Sequence, residues 1–194
     1  MPLTRRIALL LQLTQTRAIV RRYFVVNGFD GALTMLGLIL GFILSAPTEL
    51  SVVIKVCLGA AIALGVSGIS SAYVSEVAER RHALSQLEAA MVSDLQQSAH
   101  GDAALWVPLV VAVVNGLAPL FISLLILLPL WLAQAGFICS ISPLLLAMMV
   151  ALLVIFLLGV FLADIAGRPW WVSGLQTLLV ALVTITLIYF FAGE

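Results

Sequence analysis

VVNGFDGALTMLGLILG (residues 25–41) sets a carboxylate inside a stretch that otherwise reads as a membrane-spanning helix. A bilayer core of ~30 Å needs about 20 apolar residues in helical form. A charge near the middle of such a span costs on the order of 2.5–3.5 kcal/mol on insertion scales. At ~1.5 Å per residue, Asp30 stands about 9 Å inside a boundary drawn at residue 24, so its penalty is smaller, but it still needs compensation.

The residues around Asp30 suggest where that compensation comes from. Asn27, Asp30, Thr34, Gly37 and Gly41 recur at +3, +4, +3, +4 and so share one side of a helix. Leu33, Leu36, Ile39, Leu40 and Phe42 take the other faces, which reads as a lipid-facing surface. Two readings compete for the polar stripe. Gly37-x-x-x-Gly41 lets a second helix approach closely, which makes the stripe a packing surface. Packing accounts for the glycines and not for the aspartate, so the stripe also reads as a water-lined path or ion site.

The whole chain has the same character. Of 194 residues, 63% are hydrophobic and 9% charged, far from the balance of a soluble domain, and the mean hydropathy is +1.23. Nine basic and nine acidic residues cancel, so net charge points to no nucleic-acid partner. Five segments are long enough to span: 24–46, 52–75, 104–134, 138–163 and 169–192. Their breaks are SAPTELS (45–51), AQAGF (133–137) and DIAGRP (164–169), with a longer connection at 76–102. Continuous apolar runs of this length are helices, not the short alternating strands of a barrel. The fold class is therefore an all-α integral membrane protein of five transmembrane helices.

Basic residues orient it. Arg5, Arg6, Arg17, Arg21 and Arg22 precede span one, Arg80 and Arg81 follow span two, and Arg168 separates spans four and five. The connections 45–51 and 133–137 hold no Lys or Arg, and Lys55 can snorkel from span two. The N-terminus is expected in the cytoplasm and the C-terminus outside. The arginine-rich start holds Gln12 and lacks a small-x-small cleavage site, so it reads as a short amphipathic helix on the membrane surface and not as a signal peptide. The expected organisation is a cytoplasmic amphipathic helix over 1–23, spans one and two over 24–75, a cytoplasmic helical linker over 76–103, and spans three to five over 104–194.

Elsewhere the signals are weaker. Ala61, Gly65, Gly68, Ala72 and Ser75 repeat the small-residue spacing in span two, and Ser67, Ser70, Ser71 and Tyr73 offer oxygens beside it. Stripes on both helices predict that spans one and two form a subunit interface. Span three carries Pro108, Pro119 and Pro129 around Asn115-Gly116. A proline withholds the N–H that would cap the carbonyl four residues back, so this region reads equally as a cation-coordinating hinge or as a kinked packing helix. Met148 and Met149 read as core packing ahead of soft-metal ligands. In the 76–102 connection, expected to be helical, Glu76, Glu79 and His82 lie on neighbouring turns. They suit a first-row divalent ion, but Glu76–Arg80 is also a favourable i, i+4 pair of a solvated face. Cys57 and Cys139 form no metal cluster, and a bridge between them competes with burial as small apolar residues. Nothing resembles a nucleophile triad, a phosphate loop or a metalloprotease histidine pair, so an enzyme is not expected.

NGFDGALTMLGLILG (27–41) resembles the first-helix signature of the vacuolar iron transporter family, an Asp-Gly pair followed by spaced glycines. SSAYVSEVAERR (70–81) resembles that family's end of helix two, and FLLGVFLADIAGRPWWVSGLQTLLVALVTITLIYFFAG (156–193) its last two helices. The resemblance implies a homodimer that moves Fe²⁺, and often Mn²⁺, out of the cytoplasm in exchange for protons. The path would run between the first two helices of each subunit, with Asp30 at the first-helix carboxylate position. No permanently bound cofactor is implied; the metal ion is cargo. Where the family has a methionine and a Gly-Glu-Tyr in helix two, this chain has Gly68 and Ser71-Ala72-Tyr73. The 27 residues of 76–102 are also too few for the family's three-helix metal-binding module.

The resulting expectation is a divalent-metal exporter with Asp30, Asn27, Thr34 and Asn115 on the metal and proton path. Glu76 and Glu79 form a possible cytoplasmic metal site, and Gly37 and Gly41 pack the dimer. The absence of an organelle-targeting signal and the compact form point to a prokaryotic plasma (inner) membrane. A membrane scaffold that retains the fold without transport, or a transporter of another substrate, stands as the alternative.

Overall fold

The computed structural model describes residues 16–45, 48–96, 98–137, 141–167 and 169–192. They form five helices: α1 (Thr16–Leu44), α2 (Leu50–Met91), α3 (Ala99–Gln134), α4 (Pro143–Ala166) and α5 (Trp170–Ala192). Each is long and apolar enough to cross a membrane. The protein is all-α and integral to a membrane. Cys139 and most of the expected 1–23 helix lie outside the described residues. What is described of that segment, from Thr16 onward, continues into span one as a single helix.

Local chemistry sets the ends. α1 closes where the backbone N–H of Ser45 and its Oγ both donate to the Gly41 carbonyl, at 3.0 and 2.7 Å. α4 opens on Pro143, whose missing N–H has no helical partner to lose at a first-turn position. It closes on Gly167, left-handed at φ 62°, which donates its N–H to the Ala163 carbonyl. α4 thus starts at Pro143, where proline favours the first turn, and residues 138–140 of the expected span lie outside the described residues.

α2 has 42 residues, about 63 Å at helical rise, roughly twice a bilayer core. The expected helical connection beyond span two is therefore real as far as Met91, where it stops. Val92 turns at φ 51°, and the chain re-enters α3 through Ser98. Ser98 accepts from the His100 N–H at its Oγ (3.2 Å) and from the Asp102 N–H at its carbonyl (3.0 Å). The three prolines of span three do not interrupt α3.

Close contacts divide the chain into two units. One comprises Met1–Phe24 and Gly65–Leu117, the other Val25–Leu64 and Ala118–Glu194. In the first, Ala103, Val107 and Val111 of α3 are buried, with Ile19, Val20 and Tyr23 of α1 packed against them. In the second, Met35, Leu36, Ile39, Ile126, Leu127, Leu130 and Ile155 are fully buried. There α4 and α5 meet at small residues. A Cβ on Gly159 would lie 2.7 Å from the Ser173 carbonyl oxygen, and Thr177 Oγ1 donates to the Ile155 carbonyl at 3.0 Å. Most of α5 is otherwise uncovered, with Leu175, Leu179, Leu182 and Leu187 exposed, as suits a lipid-facing helix.

Candidate functional site

The aspartate of the first helix lies on the side of α1 that the chain leaves open. Asp30 is exposed, and Asn27, Thr34, Gly37 and Gly41 are half-buried. Among the described residues the ion pair is Arg80–Glu76, so none of them neutralises Asp30. A Cβ on Gly41 would meet nothing within 4 Å, and one on Gly37 would reach only Ile188 Cδ1 at 3.4 Å.

The packed side of α1 is the one the sequence suggested for lipid. Leu36 and Ile39 are fully buried and Leu40 nearly so, together with Ala32 and Met35. The glycines that admit a neighbour are Gly28 and Gly31. A Cβ on Gly31 would lie 2.8 Å from the Pro119 Cα of α3, and one on Gly28 would lie 3.4 Å from Leu158 of α4. Span one therefore has two small-residue stripes. The tighter pair, three residues apart, makes the intrachain contacts, and the longer Gly37-x-x-x-Gly41 spacing hid it.

The small stripe of span two has a different fate. A Cβ on Gly68 would lie 3.0 Å from the Gly116 Cα, and one on Gly116 would lie 2.9 Å from the Ile69 nitrogen and collide with the Gly65 carbonyl. α2 and α3 thus cross backbone to backbone. Asn115, buried at this crossing, donates its Nδ2 hydrogen to the Gly68 carbonyl at 2.8 Å. Of the two readings of Asn115-Gly116, close packing describes this contact. It also corrects the expectation that the small stripe of span two faces another subunit, since α3 already fills it. Ser67, Ser70, Ser71, Tyr73 and Ser75 are exposed. Ser70 and Ser71 donate to the carbonyls of Val66 and Ser67, both at 2.8 Å, so their hydroxyls are satisfied within their own helix.

Glu76 and Glu79 separate. Glu76 is 5% exposed. Tyr23 donates its hydroxyl to Glu76 Oε1 at 3.3 Å, and Arg80 Nε donates to Oε2 at 3.4 Å. The favourable Glu76–Arg80 pair is present, but it is sunk against α1 and not on a solvated face. Glu79 is exposed, and His82 instead meets Gln86 at 3.0 Å. Among the described residues, no group of three or more His, Cys, Asp or Glu could hold a metal ion. Cys57 is a buried free thiol, and Met148 is half-buried while Met149 is exposed.

Two polar residues escaped the sequence reading. Tyr23 stands one residue before the expected span one, and a tyrosine hydroxyl partly buried beside a helix needs a partner, which it finds in Glu76. Ser123 is fully buried in α3, and its hydroxyl has no hydrogen-bond partner among the described residues. A lone serine in an apolar run gives no advance notice of that.

No protein-family model matches the chain, and no solved structure matches it. It is similar to an uncharacterized protein of Methanocaldococcus jannaschii, 27% identical over 171 residues, which cover 87% of this chain and 86% of that protein. The similarity spans nearly the whole of both chains.

Proposed function

We propose that this protein is a membrane transporter that exports a divalent metal, Fe²⁺ or Mn²⁺, by proton antiport, and that it works as a homodimer with its N-terminus in the cytoplasm of a prokaryotic cell. The observation that carries the proposal is the exposure of Asp30 on a helix whose opposite faces are buried. A carboxylate at membrane depth is not left against hydrocarbon; it faces a partner helix or a water-filled path. A second copy seated on the open stripe brings the two Asp30 carboxylates near one another and supplies hard oxygen ligands of the kind Mn²⁺ accepts. Asn27 and Thr34, one turn to either side, add neutral oxygens. Metal binding to Asp30 displaces its proton, and protonation releases the metal, which is the coupling that antiport needs. Asn115 then serves the path by holding α2 against α3, not as a ligand.

The second reading is a scaffold that keeps the fold without transport. It is favoured by Glu76, a second carboxylate already engaged by Tyr23 and Arg80. Proteoliposomes separate the two. Uptake of Fe²⁺ or Mn²⁺ above that of Zn²⁺ and protein-free vesicles, accompanied by opposite proton movement, supports transport. Uptake equal to protein-free vesicles with every ion leaves the scaffold.

A further inference from the structure

α2, α3 and the turn between them form an open-sided hollow of about 350 Å³, lined by Arg81, Leu84, Ser85 and Glu88 of α2, Gln96 of the turn, and Gly101, Ala104 and Leu105 of α3. The residues from α2 repeat at i, i+3, i+4, i+7 and those from α3 at i, i+3, i+4, so each helix presents one face. The small Ala104 side chain leaves the groove between the helices unfilled, while Gly101 lets the turn sit directly against α3.

Its wall is held in place. Glu88 Oε1 accepts the Leu95 backbone N–H at 3.0 Å, Asp94 Oδ1 accepts that of Gln96 at 2.9 Å, and Ser98 donates its hydroxyl to the Leu95 carbonyl at 2.6 Å. Gly101 has no room for a Cβ, which would lie 2.6 Å from the Gln96 carbonyl carbon. The turn is therefore seated against α3 before any ligand arrives.

The lining has a definite chemistry. Arg81 and Glu88 supply one positive and one negative charge, Ser85 and Gln96 supply neutral hydrogen-bonding groups, and Leu84 and Leu105 supply apolar flanks. The depth is also marked. α3 becomes continuously apolar at Ala103-Ala104-Leu105-Trp106, and Leu105 and Trp106 are both exposed. Tryptophan at the start of such a run belongs at headgroup level.

From these features we propose that the cavity is a binding site for a phospholipid with a phosphoethanolamine headgroup. The Arg81 guanidinium takes the phosphate, for which its planar fork is suited. The Glu88 carboxylate takes the ammonium, Leu84 packs against the ethanolamine carbons between them, and the lipid's glycerol and first acyl carbons run along Leu105 toward the membrane. An anionic headgroup without an amine leaves Glu88 facing phosphate, and a trimethylated amine has no N–H to give it. The site is independent of whether the chain transports metal.

Native mass spectrometry of the full chain, delipidated in detergent and given equimolar phosphatidylethanolamine, phosphatidylcholine and phosphatidylglycerol, tests it. The expected result is retention of phosphatidylethanolamine ahead of both others. Arg81→Ala should weaken that retention about tenfold, the loss of one charge-assisted contact. Ala104→Phe, which fills the hollow, should abolish it. Glu88→Gln keeps an acceptor for the Leu95 N–H and should remove the preference over phosphatidylcholine. Equal retention of the three lipids, a preference for phosphatidylglycerol, or wild-type retention by well-folded Arg81→Ala protein overturns the proposal. Binding of soluble glycerophosphoethanolamine as tight as that of the lipid overturns the membrane source.

Discussion

The stripe on α1 and the crossing of α2 with α3 begin from the same sequence pattern and end differently. Gly65 and Gly68 on α2 meet Gly116 on α3 so closely that no side chain fits between them, and Asn115 closes the contact with a hydrogen bond to Gly68. Gly37 and Gly41 on α1 have the same kind of spacing and almost nothing against them. Small residues at helical spacing make a face that can be approached; they do not say what approaches it. The filled crossing carries an amide that finds its acceptor within the chain. The open stripe carries a carboxylate whose charge no described residue neutralises.

Mutation should exaggerate this difference. The largest effect belongs to Gly116. Gly116→Ala should lower stability by about 1–3 kcal/mol, the range for overpacking a tight site, and Gly116→Leu should leave no monodisperse protein. Thermal unfolding in detergent and gel filtration read both. An unchanged melting temperature in Gly116→Ala would mean that the crossing is looser than its geometry.

Asp30→Asn should do the reverse, melting as the parent does while metal-driven proton flux in proteoliposomes falls to background. It keeps the shape of the side chain and one oxygen and removes the titrating charge. Flux that survives in folded Asp30→Asn protein moves the transport site away from the open stripe.

Paired Gly37→Leu and Gly41→Leu substitutions should shift the protein from dimer to monomer with little change in melting of the chain itself. Their Cβ positions are nearly vacant, and substitutions away from packed features stay within about 0.5 kcal/mol. Cross-linking across a dilution series reads the shift, and a dimer that resists both changes is assembled elsewhere.

The smallest effect is expected at Asn115. Asn115→Leu removes one interhelical hydrogen bond, which averages about 0.6 kcal/mol in a membrane protein, together with any misfit of the larger apolar group. A loss well above that would show that the amide positions more than the Gly68 carbonyl.

Much of this architecture is legible one segment at a time. Span three runs as one helix through three prolines because its apolar length exceeds what any other element could satisfy in a bilayer. Gly167 and Pro169 mark the break between the last two helices as a reader of turns would expect. The site is less legible. Glu76-x-x-x-Arg80 reads as a solvated pair by spacing alone, whereas in the fold Glu76 is buried and accepts from Tyr23, 53 positions earlier in the chain. On α1 the sequence offers Gly28, Gly31, Gly37 and Gly41 without ranking them, because periodicity is a property of one helix and close approach is a property of two.

From its sequence alone, this protein is bound to be helical, with five stretches long and apolar enough to cross a membrane. Backbone groups in hydrocarbon must be satisfied locally, and only uninterrupted apolar runs of this length allow it. The sequence also sets where the helices break, since proline and glycine act on their immediate neighbours. The tertiary structure decides which face of each helix is used. That choice depends on the complementary shape of a distant segment: Pro119 against Gly31, Gly116 against Gly68, Tyr23 against Glu76. It leaves Asp30 exposed and without an ion-pair partner among the described residues.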